Sequence, residues 1–114
     1  MKTKQEATLA GNKLLASAMK KGLAGFKIRV WENGGEWYYC LRCKYGSIYP
    51  SGKSGYYFSL INDAGTSESY GIPDWTGGHS RSPIEALRSA VNKARKDVNK
   101  KEKAVTYLEI CIGE

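Results

Sequence analysis

Apolar and polar positions alternate most regularly between residues 26 and 44. Phe26, Ile28 and Val30 alternate with Lys27, Arg29 and Trp31, and Trp37, Tyr39, Leu41 and Cys43 alternate with Tyr38, Cys40, Arg42 and Lys44. A period of two marks half-buried strands, and the Asn33-Gly34 pair between the runs is a strong hairpin signal. Read as a two-residue loop, Asn33-Gly34 sets Val30 opposite Trp37, Ile28 opposite Tyr39 and Phe26 opposite Leu41. One hairpin face is then wholly apolar. The other carries Lys27, Arg29, Trp31, Glu36, Tyr38, Cys40, Arg42 and Lys44.

The flanking segments change period. Residues 5 to about 24 predict a helix, because Leu15, Ala18, Met19, Gly22 and Leu23 fall on one stripe. Gly11 and Gly22 weaken that helix and Gly25 ends it. A Gly/Ser loop at 46–55 leads to a third strand over 56–61, and Asn62-Asp63-Ala64-Gly65 turns the chain. An optional short strand follows at 69–72. The loop from Pro73 to Arg81 holds Trp75, Gly77, Gly78 and His79. Ser82, Pro83 and Glu85 form a capping-box start for a second helix, whose stripe is Ile84, Leu87, Val91, Ala94 and Val98. Arg88, Arg95, Lys96, Lys100 and Lys103 lie off that stripe. Residues 104–112 predict a closing strand. The expectation is an α+β fold in the order α-β-β-β-(β)-α-β: an antiparallel sheet of four to five strands with two helices. It forms one domain over 1–114, with residues 1–5 as a disordered tail. The helices either cover one sheet face together or lie one on each.

Composition narrows the function classes. At 114 residues, 41% hydrophobic and 25% charged, the chain is sized for one core. No apolar run suits a membrane helix, and the first residues lack the pattern of a signal peptide, so a cytoplasmic protein is expected. Three cysteines imply no disulfide framework. Eighteen Lys and Arg against eleven Asp and Glu give a net charge of +7, which favours polyanionic partners.

Three stretches carry a family likeness: Gly25-Phe26-Lys27-Ile28-Arg29-Val30, Gly35-Glu36-Trp37-Tyr38-Tyr39, and Ser82-Pro83-Ile84-Glu85-Ala86-Leu87-Arg88-Ser89-Ala90 after a Gly-rich loop. Together they resemble the small phage-encoded ABA-sandwich accessory domains, which use a leading helix, a hairpin with Trp after the turn and a Ser/Thr-Pro helix start. The resemblance implies a phage or prophage source, with the host cytoplasm as location, and transfers no catalytic residues. The 46–55 loop and the closing strand depart from that pattern. More distantly, Gly78-His79-Ser80-Arg81 before the last helix is similar to the phosphate-gripping helix start of double-stranded-RNA-binding domains. Here Ser82 and Pro83 stand where lysines would be expected.

Catalytic motifs are incomplete. Cys40-Leu41-Arg42-Cys43 has the spacing of half a zinc site, but only His79 and Cys111 remain as further Cys or His ligands. Strand alternation points Cys40 and Cys43 to opposite faces, predicting one buried and one surface cysteine. Ser51-Gly52-Lys53-Ser54 lacks the earlier glycine of a phosphate-binding loop. His79 is the single histidine, and no carboxylate set has nuclease spacing. The expectation is a non-enzyme without metal or cofactor.

Binding surface is what remains. Lys27, Arg29, Trp31, Tyr38, Arg42 and Lys44 interleave cations with rings on one hairpin face, and Trp75 and Arg81 extend the set from the later loop. Such a surface either stacks nucleic-acid bases or packs beneath a helix. Tyr49, Tyr56, Tyr57 and Trp75 lie in or beside loops and are able to form a protein-binding patch. Two readings follow. One is a viral, phage-type inhibitor of a host nucleic-acid-handling or defence complex, an anti-defence protein of the anti-CRISPR kind, whose partner is a host protein or protein–nucleic-acid complex. The alternative is a protein that binds single- or double-stranded DNA or RNA directly. Neither involves a membrane.

Overall fold

The computed structural model describes residues 1–52, 55–61, 74–75 and 78–113, with 74–75 and 98–101 described by their backbone alone. The elements in chain order are α1 (Lys4–Lys20), β1 (Lys27–Asn33), β2 (Glu36–Cys43), β3 (Gly46–Pro50), β4 (Tyr56–Leu60), β5 (Asp74–Trp75), α2 (Pro83–Lys96) and α3 (Val98–Cys111). The strands form one antiparallel sheet in the order β1-β2-β3-β4-β5. The fold is α+β, and three helices stand where two were expected.

The β1–β2 hairpin keeps its predicted faces but not its predicted pairing. Val30 pairs with Tyr39, Ile28 with Leu41 and Glu32 with Trp37. The turn is Gly34-Gly35, with φ of 63° and 81°. A type I′ turn needs positive φ at both central residues, which two glycines supply without a Cβ penalty and Asn33-Gly34 does not. Moving the turn by one residue shifts each pairing by two, so parity and face survive. Trp37 is half-buried rather than sealed, because it sits at the hairpin tip.

Three sequence expectations fail for identifiable reasons. Gly46–Pro50, expected as loop, is β3: Ile48 points inward and pairs with Phe58, while Ser47 and Tyr49 point the other way. Gly46 is needed there, since a Cβ would collide with the Ser59 carbonyl oxygen and the Phe58 ring. The expected closing strand at 104–112 is the body of α3. Its β-branched and aromatic residues suggested a strand, but buried Val105, Leu108, Cys111 and Ile112 follow helical spacing, and packing against α2 decides the outcome. Finally, the N-terminus is no loose tail. Thr3 Oγ1 caps α1 by accepting from the Glu6 N–H at 3.1 Å. The Met1 ammonium lies 2.7 Å from Glu36 Oε2, and the Trp37 N–H donates to the Met1 carbonyl at 2.6 Å.

Within α1 the buried stripe is Ala7, Gly11, Leu14 and Ala18, and Met19 is exposed, so the predicted stripe is rotated. Gly11 is the point of closest approach, where a Cβ would stand 3.4 Å from Ile28 Cγ2. The helix ends at Gly22, whose φ of 89° suits only glycine. The α2 start follows expectation, with Ser82 Oγ accepting from the Glu85 N–H at 3.3 Å and Pro83 in the first turn. The optional strand at 69–72 lies outside the described residues.

All three helices gather on one side of the sheet. Leu14 and Ala18 of α1, Leu87, Ala90, Val91 and Ala94 of α2, and Val105 and Leu108 of α3 share one core with Leu41, Ile48, Phe58 and Leu60. The arrangement is therefore a sheet with one helix-covered face. Among the described residues, no helix lies on the other. No described helix is long and apolar enough to cross a membrane.

Candidate nucleic-acid interface

Register assigns the helix-free face row by row. Lys27, Arg42, Ser47 and Ser59 pair successively across β1 to β4, and β5 places Trp75 opposite Ser59. The next row begins with Arg29 paired to Cys40, and the row after it with Trp31 paired to Tyr38. Tyr49 pairs with Tyr57 on the same face, so Tyr49, expected in a loop, is a strand residue, while Tyr57 lies in the strand expected for it. Tyr56, its neighbour in β4, falls on the opposite, helix-covered face.

The rings on this face touch in sequence. Tyr38 stacks on Trp31 with centroids 5.8 Å apart, and Trp31 meets Tyr49 edge-on at 6.1 Å. Tyr49 stacks on Tyr57 at 5.2 Å, and Tyr57 meets His79 edge-on at 5.8 Å. One aromatic row thus crosses four strands and reaches the segment before α2. Ser80 anchors that segment by exchanging backbone hydrogen bonds with Tyr56, at 2.7 and 2.9 Å. Tyr38 is exposed and Trp31, Tyr49 and Tyr57 are half-buried. The Arg29 guanidinium lies 5.6 Å from the Trp31 ring centroid. Such contact is a cation–π interaction that holds the charge beside the ring.

Beneath the rings lies a floor of small polar side chains. Cys40, Ser47 and Ser59 are all buried although no described helix covers them. Both CxxC cysteines are therefore buried, on opposite faces, where one buried and one surface residue were expected. Burial raises the Cys40 thiol above its ordinary pKa, against the pull of Arg29, a hydrogen bond with Ser47, and Arg42. Burial likewise raises the Tyr57 hydroxyl, helped by Tyr49 and then Cys40. The Tyr57 ring is thereby held in its uncharged form, and the cations beside the row carry charge.

Not every expected site residue joins this face. Lys44 lies in the β2–β3 turn with its Nζ 5.8 Å from the Tyr45 ring, and Tyr45 stacks on Tyr107 of α3 at 4.2 Å. Arg81 is exposed just before α2, beyond the β4 start and three strands from Lys27. The structure brings together Lys27, Arg29, Trp31, Tyr38 and Arg42, with Trp75 placed by register. It adds Tyr49, Tyr57 and His79, which no local sequence signal joined to them. No three His, Cys, Asp or Glu side chains gather as a metal site among the described residues.

No protein-family model, curated protein or solved structure matches this chain. Function is therefore argued from the face itself. It offers flat rings for stacking and cations along one flank.

Proposed function

We propose that the helix-free sheet face binds single-stranded nucleic acid. The observation that carries the reading is the continuous row Tyr38, Trp31, Tyr49, Tyr57 and His79, flanked by Lys27, Arg29 and Arg42. Bases of any sequence have faces that stack on such rings, and the cations track the phosphates. The sequence alone favoured a protein target, because the aromatics seemed to lie in loops. Tyr49, one of these, lies on β3 with its ring against Trp31, and this supports the nucleic-acid reading. The strand would run across the β-strands, along the row, with its phosphates toward Lys27, Arg29 and Arg42.

The test is fluorescence anisotropy with labelled oligothymidylate and oligouridylate over a series of salt concentrations. Affinity should fall by about 0.7 of a log unit per phosphate contact for each tenfold rise in salt. Arg29→Ala combined with Arg42→Ala should flatten that slope. The counter-defence reading uses the same face for a host complex, and Trp, Tyr and Arg are the residues of protein hot spots. It would be favoured if naked oligonucleotides bind weakly at physiological salt while a nuclease-resistant host protein is captured and is lost in the double variant.

A further inference from the structure

The three thiols divide between two environments. Cys40 lies on the helix-free face, away from the other two. Cys43 is the last residue of β2 and Cys111 the last residue of α3, and both belong to the buried core cluster. Their side chains are in hydrogen-bond contact, with the Cys43 S–H donating to the Cys111 sulfur. The backbone N–H groups of Tyr45 and Gly46 also point at the Cys43 sulfur. Two further contacts hold α3 in place. Tyr107, one turn before Cys111, stacks on Tyr45, and the Ala24 N–H donates to the Cys111 carbonyl at 3.0 Å. Each sulfur is thus carried by a fixed element and aimed at the other.

We propose that Cys43 and Cys111 form a dithiol that exchanges with low-molecular-weight disulfides, closing a covalent bond between β2 and the end of α3. The Cys111 thiolate attacks one sulfur of the external disulfide, forms a mixed disulfide and expels one thiolate. Cys43 then gives up its proton to that leaving thiolate and attacks the Cys111 sulfur, expelling the second thiolate. The two cysteines lose two electrons and the external disulfide is reduced to two thiols. Attack begins at Cys111 because the hydrogen bond from Cys43 lowers its pKa to about 7, against the effect of burial. A thiol with pKa near the ambient pH is the best placed to attack. Cys111 is buried in the last turn of α3, two residues before exposed Gly113, so a small reagent reaches it by local opening of that one turn. The bridge would close the long loop from 43 to 111, restricting the unfolded chain.

The experiment treats the folded protein with oxidised glutathione at neutral pH. Intact mass should fall by two hydrogens, and peptide mapping should place the bond between Cys43 and Cys111. The melting temperature should rise by about 10 °C or more and return on reduction with dithiothreitol. Cys40→Ser should behave like the parent. Cys43→Ser, which keeps a hydroxyl donor beside Cys111, should stop at a mixed disulfide on Cys111, a result read by mass that does not require full stability. Three outcomes would overturn the proposal: all thiols remaining free, a bridge that uses Cys40, or a Cys43→Ser protein that carries no adduct.

Discussion

Replacing Trp31 by Ala is the sharpest probe of the aromatic row. Trp31 joins the two stacked pairs, since it stacks on Tyr38 and meets Tyr49 edge-on. Without the indole, Tyr38 is separated from Tyr49, Tyr57 and His79, and one stacking position is gone. One base–aromatic stack contributes ~1–3 kcal/mol, so the dissociation constant should rise by about 5- to 150-fold. Arg29 loses its ring partner but keeps its charge. The number of neutralised phosphates is then unchanged, and so is the slope of log affinity against log salt. Arg29→Ala should do the reverse, reducing the slope by about 0.7 while leaving the stack in place. Trp31 is half-buried and lies outside the helix-covered core, so the variant should remain folded, as a circular-dichroism melt would check. Anisotropy titrations of parent, Trp31→Ala and Arg29→Ala across one salt series decide the matter. A change in affinity under about twofold for Trp31→Ala, against the 1–3 kcal/mol expected, would refute the stacking role. A drop in slope equal to that of Arg29→Ala would refute the division of labour.

Two glycine substitutions should act with opposite sign in urea denaturation. Gly46→Ala forces a methyl against the Ser59 carbonyl and the Phe58 ring, so it should destabilise by about 1–3 kcal/mol, whereas Gly11→Ala meets Ile28 and Tyr39 at ordinary van der Waals distances of 3.4 to 3.6 Å and gains helix propensity of up to ~1 kcal/mol. Equal losses at the two positions would contradict the packing described. The Cys111 thiol sets a pH dependence under reducing conditions. Its pKa is about 7 when folded and 9.0 ordinarily, so the unfolded chain holds more protons between these values and stability should rise from about pH 7 to about pH 9. Above that range the raised pKa of Cys43, set by its hydrogen bond to Cys111 and by burial, reverses the trend. Cys111→Ser should lack the rise, and identical pH profiles for the two proteins would exclude the hydrogen-bonded pair.

What the sequence made legible depended on whether a signal was local. The hairpin faces were readable because a period of two survives a displaced turn, and Phe26 and Leu41 are buried as the alternation required. The α2 start was readable because Ser82, Pro83 and Glu85 act within one turn. β3 was hidden because its inward positions, Gly46, Ile48 and Pro50, include two residues that ordinarily signal a loop. α3 was hidden because its β-branched and aromatic content favoured a strand while its docking surface on α2 lies elsewhere in the chain. The aromatic row suffers from the same cause. Trp31, Tyr49, Tyr57 and His79 come from four separate segments, and only the order of strands makes them neighbours.

The side chains of the helix-free face bear on why it is built this way. Folding requires one covered face, which the helices and the Leu41, Ile48 and Phe58 layer supply. The other face needs only to be wettable, and short polar or charged residues would suffice. Instead it sets Cys40, Ser47 and Ser59 low and buries them among larger neighbours, with half-exposed rings standing over the sheet in mutual contact. Half-exposed aromatics gain less from burial than core ones and add apolar surface that a solvated face does not need. Cations beside them oppose self-association through like-charge repulsion, so the pattern suits a partner of opposite charge better than a second copy of the chain. A ligand with flat apolar faces and a regular line of negative charge satisfies both features of the surface, and single-stranded nucleic acid has both.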